Sequence, residues 1–143
     1  MLLRGGTVCQ PGISTIMLPG RSLVRGVAMI DTVRVFKALS DGTRLRILNI
    51  LLERECCVCE VMQVLGVSQP SASRHLSILH GARLLKAKKE GIWMYYSVDH
   101  EGMPAYAQEI IKAVRLAAAE MPETRLDRQK LRKTMKQNTV CVS

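Results

Sequence analysis

The stretch Gly66-Val67-Ser68-Gln69-Pro70-Ser71-Ala72-Ser73-Arg74-His75-Leu76-Ser77-Ile78-Leu79 decides the fold. Gly66 is placed to end one helix, and Ser68 supplies the hydroxyl that caps the next. Pro70 then falls in the first turn, where a missing N–H is tolerated. Ala72, Leu76 and Leu79 recur at helical spacing and predict a buried stripe. At about 100° per residue, Pro70, Ser73, Arg74 and Ser77 face the other way. A face of small hydroxyls and one arginine can enter a DNA major groove about 12 Å wide. Arg74 can pair with guanine or with phosphate, and Ser68, Gln69, Ser71 and Ser73 can bond phosphates or base edges.

Upstream, Val58, Val61, Met62 and Leu65 line one face of a short third helix that stops at Gly66. A short first helix carries Val33, Phe36 and Lys37-Ala38-Leu39. Ser40 and Asp41 supply cap chemistry for a second, in which Leu45, Leu48 and Leu52 recur. Downstream, Leu84 to Lys89 and Ile92 to Val98 read as strands joined at Glu90-Gly91. Lys86, Lys88 and Lys89 crowd around that turn, where a wing would touch DNA phosphate; lysines there also protect a sheet edge. A last helix runs from about Pro104 to Glu120, with Tyr106, Ile110, Val114 and Ala117 or Ala118 as its apolar stripe. This order predicts a mainly α fold with a β-hairpin wing (α+β), a winged helix-turn-helix. The stripe of Tyr106, Ile110 and Val114 has no other obvious partner in so small a domain. It predicts a homodimer seam, with Phe36 of the first helix beside it.

The chain has 143 residues, 48% of them hydrophobic, which suits one domain with a core of its own. No apolar run approaches the roughly 18 residues of a spanning helix, so no membrane role is expected. The net charge of +9 favours a polyanionic partner. It divides evenly, with +3 each in residues 1–30, 31–100 and 101–143, so the DNA argument rests on where the charges sit. Residues 1–29 hold five glycines, two prolines and no acid; they read as a disordered arm, or as sequence upstream of a true start at Met29. Residues 30–121 form the DNA-binding and dimerisation domain. Residues 122–143 read as a basic tail, with six basic residues against Asp127 from Arg125 to Lys136.

The five cysteines are an odd count, and three of them fall within four positions: Cys56, Cys57 and Cys59. That spacing suits a soft-ligand or redox site in a reducing cytoplasm better than a secreted disulfide framework. On an ideal helix, Cys56 and Cys59 lie about 60° apart and can share an ion, whereas Cys57 and Cys59 lie about 200° apart. Recruiting Cys57 therefore unwinds the first turn of the helix that precedes the DNA-reading one. A ligand that does so favours the state that binds DNA worse. Zinc fits poorly, because a closed site wants four ligands and His75, His80 and His100 are scattered.

The chain from Phe36 to Val98 resembles the ArsR/SmtB family of winged-helix metalloregulators, and most of all the repressors of arsenical resistance operons. The residues that carry the resemblance are Phe36-Lys37-Ala38-Leu39-Ser40-Asp41 with Thr43-Arg44, Cys57-Val58-Cys59-Glu60, Ser68-Gln69-Pro70, Ser73-Arg74-His75-Leu76, and Lys89-Glu90-Gly91 with Tyr95-Tyr96. The resemblance implies a homodimer paired through first and last helices, with His75 among the DNA-contacting residues. It implies repression of a resistance operon and release from double-stranded operator DNA when arsenite, As(III), or antimonite, Sb(III), binds. The Cys-Val-Cys pair of that family matches Cys57 and Cys59; a third cysteine often follows where this chain has Met62. Cys56 is the candidate third thiolate on position alone, and Cys9 and Cys141 are expected to be dispensable.

The expected function is thus a metalloid-responsive repressor, not an enzyme and without an organic cofactor. Two alternatives stay open: the same fold sensing cadmium, lead or a persulfide, and a thiol redox or metal-carrier protein that binds no DNA.

Overall fold

The computed structural model describes residues 21–137. Cys9, Cys141 and the first 20 residues of the expected arm lie outside the described residues. The element order is α1 (Arg21–Leu39), α2 (Gly42–Leu51), β1 (Cys56–Cys57), α3 (Val58–Leu65), α4 (Gln69–Gly81), β2 (Leu85–Glu90), β3 (Trp93–Val98), α5 (Ala105–Ala119) and α6 (Pro122–Gln137). Among the described residues, those from Arg34 onward form one compact unit and those up to Val33 another.

The caps stand where the residue types put them. The Asp41 carboxylate accepts from Arg44 N–H at 3.0 Å to start α2, and Ser68 Oγ accepts from Ser71 N–H at 3.4 Å to start α4. Gly66 closes α3 at φ +69, a conformation that costs a side-chain-bearing residue about 1 kcal/mol or more. Arg44 also secures the end of α1, donating from Nε to Ala38 O at 2.5 Å and from Nη2 to Lys37 O at 3.0 Å.

The hairpin pairs Glu90 with Trp93, so its two-residue turn is Gly91-Ile92, one position later than the expected Glu90-Gly91. Gly91 has φ +63 and Ile92 does not share it, the pattern of a type II′ turn with glycine first. The sheet has a third strand that the sequence reading did not foresee. Its order is β1-β3-β2, with β1 antiparallel to β3 through Cys56↔Tyr96 and Cys57↔Tyr95.

The core gathers Ile47, Leu48 and Ile50 of α2, Val61 and Val64 of α3, and Ala72, Leu76 and Leu79 of α4, with Leu84, Leu85 and Val98 at the base of the wing. Ala107 and Ile111 of α5 close it from the other side. Two expectations need correction. Helix α1 begins at Arg21, within the stretch read as an arm: no proline lies between Arg21 and Leu39, and one interior glycine lowers helix stability by only about 1 kcal/mol. The basic stretch after residue 121, read as a tail, holds α6, which packs on α2, α3 and α5. Its inward stripe is Thr124, Asp127, Leu131 and Thr134, all buried. Arg46 donates twice to the Asp127 carboxylate, at 2.7 and 2.8 Å, and Thr124 Oγ1 donates to Ala118 O across the α5–α6 corner.

Candidate thiol centre and nucleic-acid interface

Only Cys59 lies in the helix. Cys56 and Cys57 form β1, and Cys57 doubles as the N-cap of α3. The helical angles expected between the three therefore do not apply, and among the described residues no group of three or more Cys, His, Asp or Glu is placed to hold an ion. Strand neighbours face opposite ways. Cys56 faces inward as a fully buried member of the core, and its thiol donates to Arg54 O at 3.6 Å. Burial pushes that thiol up to about 12, with the positive charge of Arg54 opposing it only in part. Because the thiolate is the form that binds soft ions, Cys56 is held in the unreactive state.

Cys57 is 1% exposed and Cys59 half-buried. The backbone N–H of Cys57 donates to Glu60 Oε2 at 2.9 Å, and Arg54 Nη2 donates to Glu60 Oε1 at 2.7 Å. Burial alone would raise the Glu60 carboxyl; the bonds from Arg54 and Cys57 outweigh it and hold the group below its ordinary value. Arg54 is itself tied to α6 by a bond to Thr134 Oγ1 at 3.3 Å. The turn that presents the thiols is thus clamped on both sides.

Across the sheet, Cys57 pairs with Tyr95 and Tyr95 pairs with Lys88, while Cys56, Tyr96 and Ala87 form the next row. Strands lie about 4.8 Å apart, so Cys57 stands only about 10 Å, backbone to backbone, from the wing's lysine strand.

On α4, Ala72, Leu76 and Leu79 are fully buried, and Ser68, Gln69, Pro70, Arg74 and Ser77 are exposed, as the periodicity predicts. Ser71 and Ser73 are half-buried. His75 is half-buried too, its Nδ1 lying 3.9 Å from Asp41 Oδ1 without a hydrogen bond. Asp41, Arg44, Pro70, Ser71, Arg74, His75 and Ile78 line a crevice of about 440 Å³. On the wing, Lys88 pairs with Glu90 at 2.5 Å, which raises the Lys88 ammonium, while Lys86 and Lys89 are exposed.

The expected seam residues are divided. Phe36 is 57% exposed, but Tyr106, Ile110 and Val114 pack partly against the chain's own core, so they do have a partner within the domain. The large apolar side chain that α5 leaves exposed is Leu116, at 74%.

Residues 41–87 match the bacterial regulatory protein, arsR family. The arsenical resistance operon repressor of Escherichia coli is 42% identical over 80 residues, which cover 55% of this chain and 68% of that one. This chain belongs to the arsR family.

A cadmium resistance transcriptional regulatory protein CadC homolog of Staphylococcus aureus is 47% identical to this ArsR-family chain over 73 residues, half of this chain and 60% of that relative's length. The solution structure of a homodimeric winged helix-turn-helix DNA-binding domain from Mycobacterium bovis superposes with a TM-score of 0.57 at 28% identity, covering 68% of this chain and 87% of that one. The fold is accordingly a winged helix-turn-helix. Among the described residues no helix is long and apolar enough to cross a membrane.

Sequence reasoning missed Arg54, Glu60 and Tyr95 as parts of the thiol centre. Glu60 three residues after the N-cap Cys57 is the spacing of a capping box, a signal that was available. Tyr95 is brought in only by strand pairing.

Proposed function

We propose that this chain is a transcriptional repressor that binds operator DNA as a homodimer and leaves it when trivalent arsenic or antimony bridges Cys57 and Cys59. The DNA-contacting residues in this reading are Ser68, Gln69, Ser71, Ser73, Arg74 and His75 of α4, with Lys88 and Lys89 of the wing. Residues 30–121 carry DNA binding and dimerisation, and the exposed apolar side chains Phe36 and Leu116 are natural members of the seam.

The observation that carries the reading is the row Cys57–Tyr95–Lys88 across one sheet. A ligand that takes two thiols must draw Cys57 off β1, because at 1% exposure it is not reachable in place. Each thiol gives up its proton as it binds. Moving Cys57 breaks the pairing of β1 with β3 and withdraws the Cys57 N–H from Glu60. The disturbance reaches the wing through β3 and reaches α4 through α3 and the Gly66 turn. Both DNA-contacting parts are then displaced by one event, and the ligand favours the DNA-free state. Two thiols with no third donor in place among the described residues suit a thiophilic ligand of low coordination number better than a closed tetrahedral site. The cadmium-resistance relative favours a second reading, a soft divalent cation as the signal.

The test uses Cys57→Ser and Cys59→Ser in a gel shift with the protein's own promoter, with arsenite, antimonite and cadmium in turn. Both variants should bind DNA as the wild type does and stay bound with arsenite. Amide exchange at Tyr95 and Tyr96 should rise on arsenite addition to wild type only. Release of DNA from either variant by arsenite would rule the assignment out, and wild-type release by cadmium alone would select the second reading.

A further inference from the structure

At the far end of α2 from its capped start, Glu53, Arg54, Arg128, Leu131 and Arg132 enclose a crevice of about 250 Å³. Three guanidinium groups converge there against one carboxylate. Arg128 and Arg132 stand four apart on α6 and so share a face. Arg54 reaches in from the loop before β1, with Nη1 and Nη2 already committed to Glu55 O, Glu60 and Thr134. Its Nε is buried and has no hydrogen-bond acceptor. Arg128 Nη2 donates to Asn49 Oδ1 at 3.1 Å, while its Nε, also buried, lies 3.4 Å from Glu53 Oε1 without hydrogen-bond alignment. Arg54 Nε is thus a buried cationic donor without an acceptor, Arg128 Nε has only the misaligned Glu53 carboxylate, and Arg132 adds a third guanidinium, so the crevice holds more cationic donors than its own acceptors answer. An anion with several oxygens, seated among the three guanidinium groups, would balance that excess.

We propose that this crevice binds a small tetrahedral oxyanion, inorganic phosphate or an isostere of it. Guanidinium forks match the edges of such an anion, and buried charge-assisted bonds are about twice as strong as neutral ones. The volume admits a tetrahedral anion with room for water. The site lies away from the reading face: α6 packs on α2, α3 and α5, whereas α4 packs on α2, α3 and β2. It also lies one side chain from the thiols, since Arg54 is the residue that holds Glu60 over the Cys57 N–H.

The experiment is thermal unfolding of the full chain titrated with inorganic phosphate, against sodium chloride at matched ionic strength. Phosphate should stabilise saturably where chloride does not. Arg132 is exposed and makes no contribution to the core, so Arg132→Gln should fold normally and bind phosphate about tenfold more weakly, with Arg132→Lys between the two. Equal effects of phosphate and chloride, or an unchanged phosphate response in Arg132→Gln, would overturn the proposal. Operator affinity should be the same in Arg132→Gln as in wild type; a loss there would mean that the arginines hold DNA backbone phosphate instead, and the proposal would fall. The titration is read on protein alone, so its outcome is independent of whether the repressor reading holds.

Discussion

Replacing Cys56 by valine separates a core role from a ligand role. The thiol is fully buried, and its ionisation is pushed from an ordinary 9.0 to about 12. That rise corresponds to about 4 kcal/mol of resistance to forming a thiolate in place. At pH 7 the thiolate fraction is about one in 10⁵, too small for a ready ligand. The folded chain holds this proton more tightly than the unfolded chain, so the contribution is complete below pH 9 and falls as pH rises toward 12. At pH 10 the loss is about 1.4 kcal/mol. Cys56→Val keeps the site apolar and removes the titration. Urea unfolding of both proteins at pH 7 and pH 10 should show the wild type losing about 1.4 kcal/mol more than the variant across that interval. The variant should remain stable at pH 7 and still release DNA with arsenite. An identical pH response in both proteins would refute the buried-thiol argument. Loss of arsenite release in a folded Cys56→Val would make Cys56 a ligand after all.

Arg74→Ala should weaken operator binding by about 1–3 kcal/mol in a gel shift, since its side chain is exposed on the reading face. Lys89→Ala should instead shallow the plot of log affinity against log salt by about 0.9, the release of one phosphate contact. Asp127→Ala leaves Arg46 without its bidentate partner; with Arg46 30% exposed and able to rehydrate, the loss should be about 2–3 kcal/mol by urea unfolding. Leu116→Glu puts charge on a side chain that is already 74% exposed. Sedimentation should find a folded monomer, and a dimer of wild-type affinity would exclude Leu116 from the seam.

Most of the fold was readable because its signals are local. Gly66, Ser68 and Pro70 announce a turn and a capped helix, and Ala72, Leu76 and Leu79 announce which side of that helix is buried. The parts that escaped are those whose signals are not local or not apolar. Strand β1 is two cysteines long, too short to alternate, and exists only through pairing with residues some 40 positions later. Helix α6 buries Thr124, Asp127 and Thr134 alongside one leucine, so a search for apolar periodicity passes over it. Its stripe becomes visible only when Arg46, Arg54 and Asn49 are placed opposite. Tyr106, Ile110 and Val114 do lie along one side of α5, but its buried positions are Ala107, Ile111 and Ala118: the first two sit one residue further round, and Ala118 is a position the expected stripe included. That shift is within reach of any stripe drawn from spacing alone.

In the proposed mechanism the brevity of β1 sets a trade-off between leakiness and sensitivity. A strand of two residues holds a pair or so of ladder bonds, each worth about 1 kcal/mol net. The ladder alone would leave β1 unpaired in roughly 3% of molecules, and the burial of Cys56 with the Arg54–Glu60 clamp lowers that fraction further. In the proposed mechanism that fraction is the basal noise of the switch, and it is also what lets a ligand of modest affinity throw it. Lengthening β1 by one paired residue would quiet the uninduced state several-fold and raise the dose needed for release by the same factor.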